Sequence, residues 1–236
     1  MEYKDFEKMF HEELEKNKIE NGANTKKFYE YMKLLLEWNE KINLTAITDE
    51  REFIVKHFVD SLTINHYIDK KNKVIDVGTG AGFPGLPLKL FHEELSVTLI
   101  DSVGKKINVL NDIIQKLNLK EIEAIHTRAE DFAKENREKY DVAVSRAVAN
   151  MSTLVEYLIP FVKVGGIIIC MKGPSYDEEL ENARNAINVL GGTIEKVESF
   201  FIDEELERNV IMIRKVKETP KQYPRGQGKP LISPIK

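Results

Sequence analysis

The chain of 236 residues holds a single cysteine, Cys170, and a single tryptophan, Trp38. One cysteine excludes a disulfide framework, a multi-cysteine zinc site and an iron–sulfur cluster. Cys170 ends the apolar run 167–170, where an inert core thiol is expected. No apolar run approaches the roughly 20 residues needed to cross a bilayer, and Met1 to Lys18 is charged throughout, without the apolar stretch of a signal peptide. No Lys-Ser or Lys-Thr follows the glycine cluster, which excludes a phosphate loop of the G-x-x-x-x-G-K-[ST] kind. There are no internal repeats. The expectation is a soluble, reduced, cytoplasmic protein with no bound metal and no membrane partner, and without an exposed heptad it is expected to be a monomer.

A net positive charge is also lacking. The net charge is −4, which taken whole argues against nucleic acid as a partner. The distribution argues otherwise. From Arg214 to the end there are seven basic residues (Arg214, Lys215, Lys217, Lys221, Arg225, Lys229, Lys236) and one acid, Glu218, a net +6; the first 213 residues carry −10. Such asymmetry marks either a partner contact or a solubilising end. Four of the eight prolines (Pro220, Pro224, Pro230, Pro234) fall here. A loosely held, extended tail offering a mobile contact to phosphates is expected.

What is present is an ordinary globular composition, 42% hydrophobic and 31% charged, enough to bury a core without staples. Residues 1–70 read as a helical cap: Phe28, Met32, Leu35 and Leu36 recur at helical spacing, and Asp49 with Glu52 opens a second helix carrying Phe53, Phe58 and Leu62. From Lys73 the pattern alternates. Strands are expected at 74–77, 97–100, 122–125, 141–144 and 167–170. Helices lie between them, and an antiparallel pair over 193–200 and 209–214 closes the sheet. This is an α/β fold with a mostly parallel sheet and an N-terminal helical cap. The division expected is 1–70 cap, 71–216 core and 217–236 basic tail.

The strongest constellation is Asp76-Val77-Gly78-Thr79-Gly80-Ala81-Gly82-Phe83-Pro84-Gly85, where the first strand turns into a helix. Glycines there let the backbone turn tightly and approach a ligand. Asp101 ends the second strand, where a carboxylate suits a ribose diol. Gly80 to Gly85 also satisfies the dinucleotide pattern G-x-G-x-x-G, so an NAD-dependent oxidoreductase is one reading and a ligand-free glycine turn another. The acid-x-G-x-G-x-G run, however, resembles the first motif of class I, Rossmann-like S-adenosylmethionine-dependent methyltransferases. Their ligand carries a cationic sulfonium, beside which Asp76 is useful. On this resemblance Glu130, in Thr127–Phe132, reads an adenine amino group, or else it is an acid in a helix's first turn. Arg146, in Ser145-Arg146-Ala147, suits an anion, a cofactor carboxylate or a guanine edge, or forms a salt bridge. The Asp/Asn-Pro-Pro-aromatic motif of amino-group methyltransferases is absent, and Cys170 is poorly placed for C5-pyrimidine chemistry.

Several segments together resemble one family. They are Trp38–Thr45 (W-N-E-K-I-N-L-T), His57–Leu62 (H-F-V-D-S-L), Asp76–Pro87, Leu99–Lys106, Arg128-Ala129-Glu130, Ser145-Arg146-Ala147 and Met171-Lys172-Gly173. The resemblance, over essentially the whole chain, is to the glucose-inhibited division protein B or ribosomal RNA small subunit methyltransferase G family. It implies N7 methylation of one guanine in the 530 loop of 16S rRNA (guanine 527 in customary rRNA numbering), on the rRNA or a small-subunit precursor, and a cofactor held by Gly78, Phe83, Ala129, Glu130 and Arg146. To these the residues themselves add Asp76, Gly80, Gly82 and Asp101. Guanine N7 attacks without losing a proton, so no general base is expected; Arg146 and Lys172 are the candidates near the base. His57 and Asp60 are expected as a structural pair at the cap–core junction. Asn43 and Thr45 fit either an RNA contact or a turn cap. A non-catalytic RNA-binding or cell-division factor with this fold is the remaining alternative.

Overall fold

A computed structural model describes every residue except Asn21, Ala23, Ala147, Val148, Glu204, Glu205 and Lys236. Ala147 of the Ser-Arg-Ala segment and Lys236 of the basic tail therefore lie outside the described residues.

The chain opens with two amphipathic helices, α1 (Tyr3–Lys16) and α2 (Thr25–Asn39). α1 buries Phe6, Phe10 and Leu14 at four-residue spacing, an apolar stripe that the many surrounding charges obscure in the sequence. A short α3 (Glu50–Phe53) is capped by Asp49, whose side chain accepts the Glu52 N–H at 2.9 Å. It runs through a wider π-helical turn (Ile54–Val59) into α4 (Asp60–Leu62). Strands and helices then alternate: β1 (Lys73–Val77), α5 (Gly85–Phe91), β2 (Ser96–Asp101), α6 (Gly104–Lys116), β3 (Ile122–His126), α7 (Ala129–Asn136), β4 (Tyr140–Arg146), α8 (Met151–Leu158), β5 (Val162–Lys172), α9 (Asp177–Leu190), β6 (Gly192–Ile202) and β7 (Leu206–Lys215), with a final turn α10 (Lys229–Ile232).

The strands form one sheet in the order β3-β2-β1-β4-β5-β7-β6. The first five are parallel, and β7 runs antiparallel between β5 and β6. Alternation along each strand divides the interior in two. Val74, Val142, Val144, Ile169 and Met212 face the side covered by the N-terminal helices, α5 and α6. Ile75, Ala143, Ile168, Cys170 and Ile213 face α8 and α9. The N-terminal helices thus share one continuous apolar cluster with the first sheet face, through Phe28, Phe58 and Phe83. The chain order reverses at β1, between β2 and β4, so the crevice at the carboxyl ends of those strands is the switch point where α/β sheets take ligands.

The tail departs from the loose extension expected. Arg137, at the end of α7, donates to the carbonyls of Thr219 (2.7 Å) and Tyr223. The Arg225 guanidinium binds both oxygens of Glu156, which is wholly buried in α8. Thr153 donates to the Pro230 carbonyl at 2.9 Å. Three of the seven basic residues are also neutralised locally: Arg214 by Glu195, Lys215 by Glu138 and Arg225 by Glu156. Proline-rich composition lowers the number of backbone donors, but side chains from the body satisfy the carbonyls instead, and the segment folds down.

Candidate active site

A cavity of about 570 Å³ opens at the switch point. One wall is the loop joining β1 to α5. Gly78, Gly80 and Gly82 have φ of 72°, 62° and 105°, backbone that side chains resist and glycine adopts freely. Gly78 and Gly80 line the cavity, as does Asp101 at the end of β2. Asp101 Oδ2 accepts the Gly80 N–H at 2.9 Å, and Oδ1 accepts that of Val103 at 2.8 Å. Each oxygen keeps a second lone pair for a ligand hydroxyl.

Asp76 and Gly82 stand behind this wall rather than on it. Asp76 is fully buried; its Oδ2 accepts the Thr79 hydroxyl and the Gly85 N–H, each at 2.8 Å, pinning both ends of the loop. Its Oδ1 is buried with no partner among the described residues. Burial pushes the Asp76 carboxyl up to about 6, against the pull of Thr79 and Gly85. Gly82 faces α2: a Cβ there would stand 2.7 Å from the Tyr31 hydroxyl. Buried Tyr31 donates to the Ala81 carbonyl at 2.6 Å. Tyr31 and Thr79 are loop supports that reading the glycines alone does not reveal; a buried tyrosine at helical spacing looks like core.

All of the loop's own N–H groups but that of Ala81 are already spent. Gly78 and Thr79 donate to the Ile100 carbonyl, Gly82 and Phe83 to that of Thr79, Leu86 to that of Gly82, and Gly80 and Gly85 to carboxylates. A pyrophosphate needs such groups free and dislikes neighbouring acids. The loop suits a neutral or cationic ligand. Ala129 and Glu130, at the start of α7, form a second edge of the cavity. Glu130 is 4% exposed and accepts from the Gly228 N–H of the tail at 3.3 Å. Leu231, also from the tail, reaches the cavity; no local sequence signal marks it.

The remaining wall comes from the cap. His57 stacks on Phe83 with ring centroids 4.3 Å apart and planes 10° from parallel. The Arg146 guanidinium lies 4.9 Å from the centre of the same ring. Arg146 Nη1 donates to Asp60 Oδ2 (3.0 Å) and the Lys56 carbonyl (3.1 Å), and Nη2 to His57 Nδ1 (3.2 Å). The other Asp60 oxygen takes Arg208 Nε at 3.0 Å. His57 and Asp60 are thus joined through Arg146 rather than paired directly, which corrects the expectation of a two-residue pair. Burial, and then the Arg146 charge, press the His57 imidazole down to about 3, so it stays neutral. Thr45 lines the same cavity and meets His57 Nε2 at 2.8 Å. Asn39 holds the segment by accepting the N–H groups of Leu44 and Thr45; the exposed Asn43 has no such role.

Lys172 is not brought to this cavity. It lies beyond Arg146 in a neighbouring one of about 330 Å³ that it shares with Lys56 and Arg208, and its Nζ donates to the Ala149 carbonyl and Glu179 Oε2. Cys170 is buried, and burial pushes its thiol up to about 12, which makes it inert. Among the described residues no cluster of His, Cys, Asp or Glu could hold a metal, and no helix is long and apolar enough to cross a membrane.

Comparison with known proteins agrees with this geometry. Residues 24–211 match the family model described as GidB: rRNA small subunit methyltransferase G. The ribosomal RNA small subunit methyltransferase G of Clostridium novyi (strain NT) is 49% identical over 221 residues, covering 90% of this chain and 91% of the relative. Among solved structures, M. jannaschii TYW2 in complex with AdoMet superposes with a TM-score of 0.54 at 16% identity, over 66% of this chain and 73% of that one. An rRNA methylase of Streptococcus thermophilus gives 0.50 at 16% identity, over 65% and 92%. These two establish the fold.

Proposed function

The chain belongs to the rRNA small subunit methyltransferase G family, and from that premise we propose that it methylates N7 of one guanine in the 530 loop of 16S rRNA with S-adenosylmethionine. The observation that carries this is the glycine loop: all its N–H groups but that of Ala81 are spent, and two acids, Asp76 and Asp101, stand beside it. That suits an uncharged nucleoside bearing a sulfonium and turns away the pyrophosphate of NAD. When bound, S-adenosylmethionine supplies an activated methyl that an in-plane lone pair accepts without loss of a proton.

The residues divide the work. Gly78 and Gly80 present bare backbone to the nucleoside. Asp101 takes the ribose diol with its free lone pairs. Glu130 accepts the adenine amino group, and the Ala129 N–H meets the ring. Asp76 and Gly82 act from behind, keeping the loop in shape. Phe83, stacked on by His57 with Arg146 hydrogen-bonded alongside, forms the floor between cofactor and base. Arg146 retains two of a guanidinium's five N–H donors for the ligands. Lys172 is a positioning residue for the strand end that carries Arg146. No group is called on to move a proton; rate comes from alignment of the lone pair and from placed charge. The substrate is 16S rRNA or a small-subunit precursor, met by a monomer in the cytoplasm.

Calorimetry with S-adenosylhomocysteine and with NAD should show binding of the first alone. Labelled methyl should then pass to 16S rRNA from a strain lacking this modification. NAD binding would support the oxidoreductase. S-adenosylhomocysteine binding with no transfer would support a non-catalytic factor.

A further inference from the structure

The cap wall fixes the direction of one proton, and this gives Thr45 a defined task. Arg146 has only donors. Its Nη2 lies 3.2 Å from His57 Nδ1, so Nδ1 is the acceptor and the imidazole proton sits on Nε2. The low basicity of the buried ring agrees with this neutral form. His57 Nε2–H therefore donates to Thr45 Oγ1 at 2.8 Å. The same oxygen accepts the Ile47 N–H at 3.1 Å. A hydroxyl has two acceptor lone pairs and one proton; both lone pairs are used. What remains is the O–H itself, on a half-buried side chain that lines the cavity and has no acceptor among the described residues. Asn39 anchors the backbone at that point, so the direction of the donor is held.

We infer that the Thr45 hydroxyl donates a hydrogen bond to the carbonyl oxygen at C6 of the target guanine and thereby selects guanine over adenine. The inference rests on the proposed guanine-N7 activity. Its logic is complementarity. The acids assigned to the cofactor, Asp101 and Glu130, lie on the sheet side, whereas Thr45 stands on the cap side, joined to Phe83 and Arg146 through His57. The carbonyl at C6 lies next to N7, so a donor there orients the base while leaving the attacking lone pair free. Adenine carries an amino group at the same place. With both lone pairs of Thr45 taken, the hydroxyl cannot turn round to accept from it, and two donors would face each other. A site built to bond one substrate group rejects the analogue that lacks it.

The test uses 16S rRNA carrying guanine, hypoxanthine or 2-aminopurine at the target position, with the full-length protein. Wild type should methylate the guanine and hypoxanthine substrates with similar kcat/KM and the 2-aminopurine substrate, which lacks the C6 oxygen, about 10- to 100-fold more slowly, the cost of leaving the donor unmet once the base covers it. Thr45→Val should show the same loss on guanine and no further loss on 2-aminopurine. Thr45→Ser should restore guanine transfer to within about threefold, and affinity for S-adenosylhomocysteine should hold across all three proteins. Equal turnover of 2-aminopurine and guanine by wild type overturns the inference without any variant. So does an equal loss by Thr45→Val on both bases, or a parallel loss of cofactor affinity. Absence of transfer to guanine by wild type overturns the proposed activity and this inference with it; transfer with Thr45→Val unimpaired overturns the inference alone.

Discussion

On the sheet side the cavity is made of backbone. Gly78 and Gly80 turn through positive φ, and their N–H groups are taken by β2, by the Ile100 carbonyl and the Asp101 carboxylate. On the cap side the cavity is made of side chains drawn from distant parts of the chain. Arg146 reaches 86 residues back to Asp60 and 89 to His57, and Asp60 is met by Arg208 from 148 residues on. The first wall is a shape that any nucleoside cofactor of this kind can use. The second is a charged network in which burial and the Arg146 charge keep His57 neutral. The contrast teaches where function is divided: changes to the sheet wall should appear as cofactor affinity, and changes to the cap wall as turnover on RNA.

Removing Arg146 is the harshest test of that division. Arg146→Ala should lower methyl transfer by about 10³-fold, at the upper end for a lost charge-stabilising donor. It should also destabilise the fold by about 3 kcal/mol, because Asp60, 1% exposed, keeps only Arg208. The double variant Arg146→Ala/Asp60→Asn should regain stability in urea unfolding but not activity. Recovery of both would mean that Arg146 serves the fold alone.

The tail sets a second test, of similar size in stability. Arg225→Ala leaves the buried Glu156 carboxylate without its cation, and should cost about 3 kcal/mol. That corresponds to a melting temperature lower by roughly 6–12 °C in a chain of this length. RNA affinity at fixed salt should change little. A drop in RNA affinity with an unchanged melting temperature would make Arg225 a phosphate contact instead.

Asp101→Ala addresses the sheet wall. Losing two hydrogen bonds to the ribose should weaken S-adenosylhomocysteine about 100-fold by calorimetry, near 2.7 kcal/mol, with RNA affinity preserved. Parallel weakening of both would erase the distinction between the walls.

The last test concerns pH. His57 is held down to about 3 in the fold against an ordinary value of 6.5, so the unfolded chain binds the proton first. Its contribution to stability is present above pH 6.5 and is lost as pH falls toward 3, at up to about 1.4 kcal/mol per pH unit. Asp76 has the opposite sign. Raised to about 6, its contribution is present below about pH 4 and is lost as pH rises through 6. His57→Gln should therefore flatten the fall in stability between pH 6.5 and 4.5 relative to wild type, with Asp76 common to both. Identical slopes would contradict the neutral, buried imidazole on which the Thr45 donor depends.

The same contrast explains what the sequence discloses. Short, β-branched-rich runs such as 74–77 and 167–169, bounded by turn residues, read as central strands by their length and flanks, and the glycine loop with Asp101 is read from spacing alone. The five parallel strands and the antiparallel pair stand where expected, to within a few residues; β5 begins earlier, at Val162. The cap wall is written in single polar residues whose partners are far along the chain. His57 and Asp60 can be read as neighbours, but not that Arg146 joins them. Lys172 and Arg146 both end strands near the crevice; Arg146 lines both cavities, whereas Lys172 lines only the smaller one. The tail misleads for a related reason: composition reports proline and charge, and the Arg137 and Glu156 contacts that hold it down come from α7 and α8.

The measurement that bears most directly on the whole is the position of the methyl group. After incubation with labelled S-adenosylmethionine, 16S rRNA lacking the modification should be reduced and cleaved with aniline, which breaks the chain at N7-methylguanine. One cut in the 530 loop, absent without enzyme and lost with Arg146→Ala, is the predicted result. Label incorporated without cleavage, or cleavage outside that loop, would contradict the account.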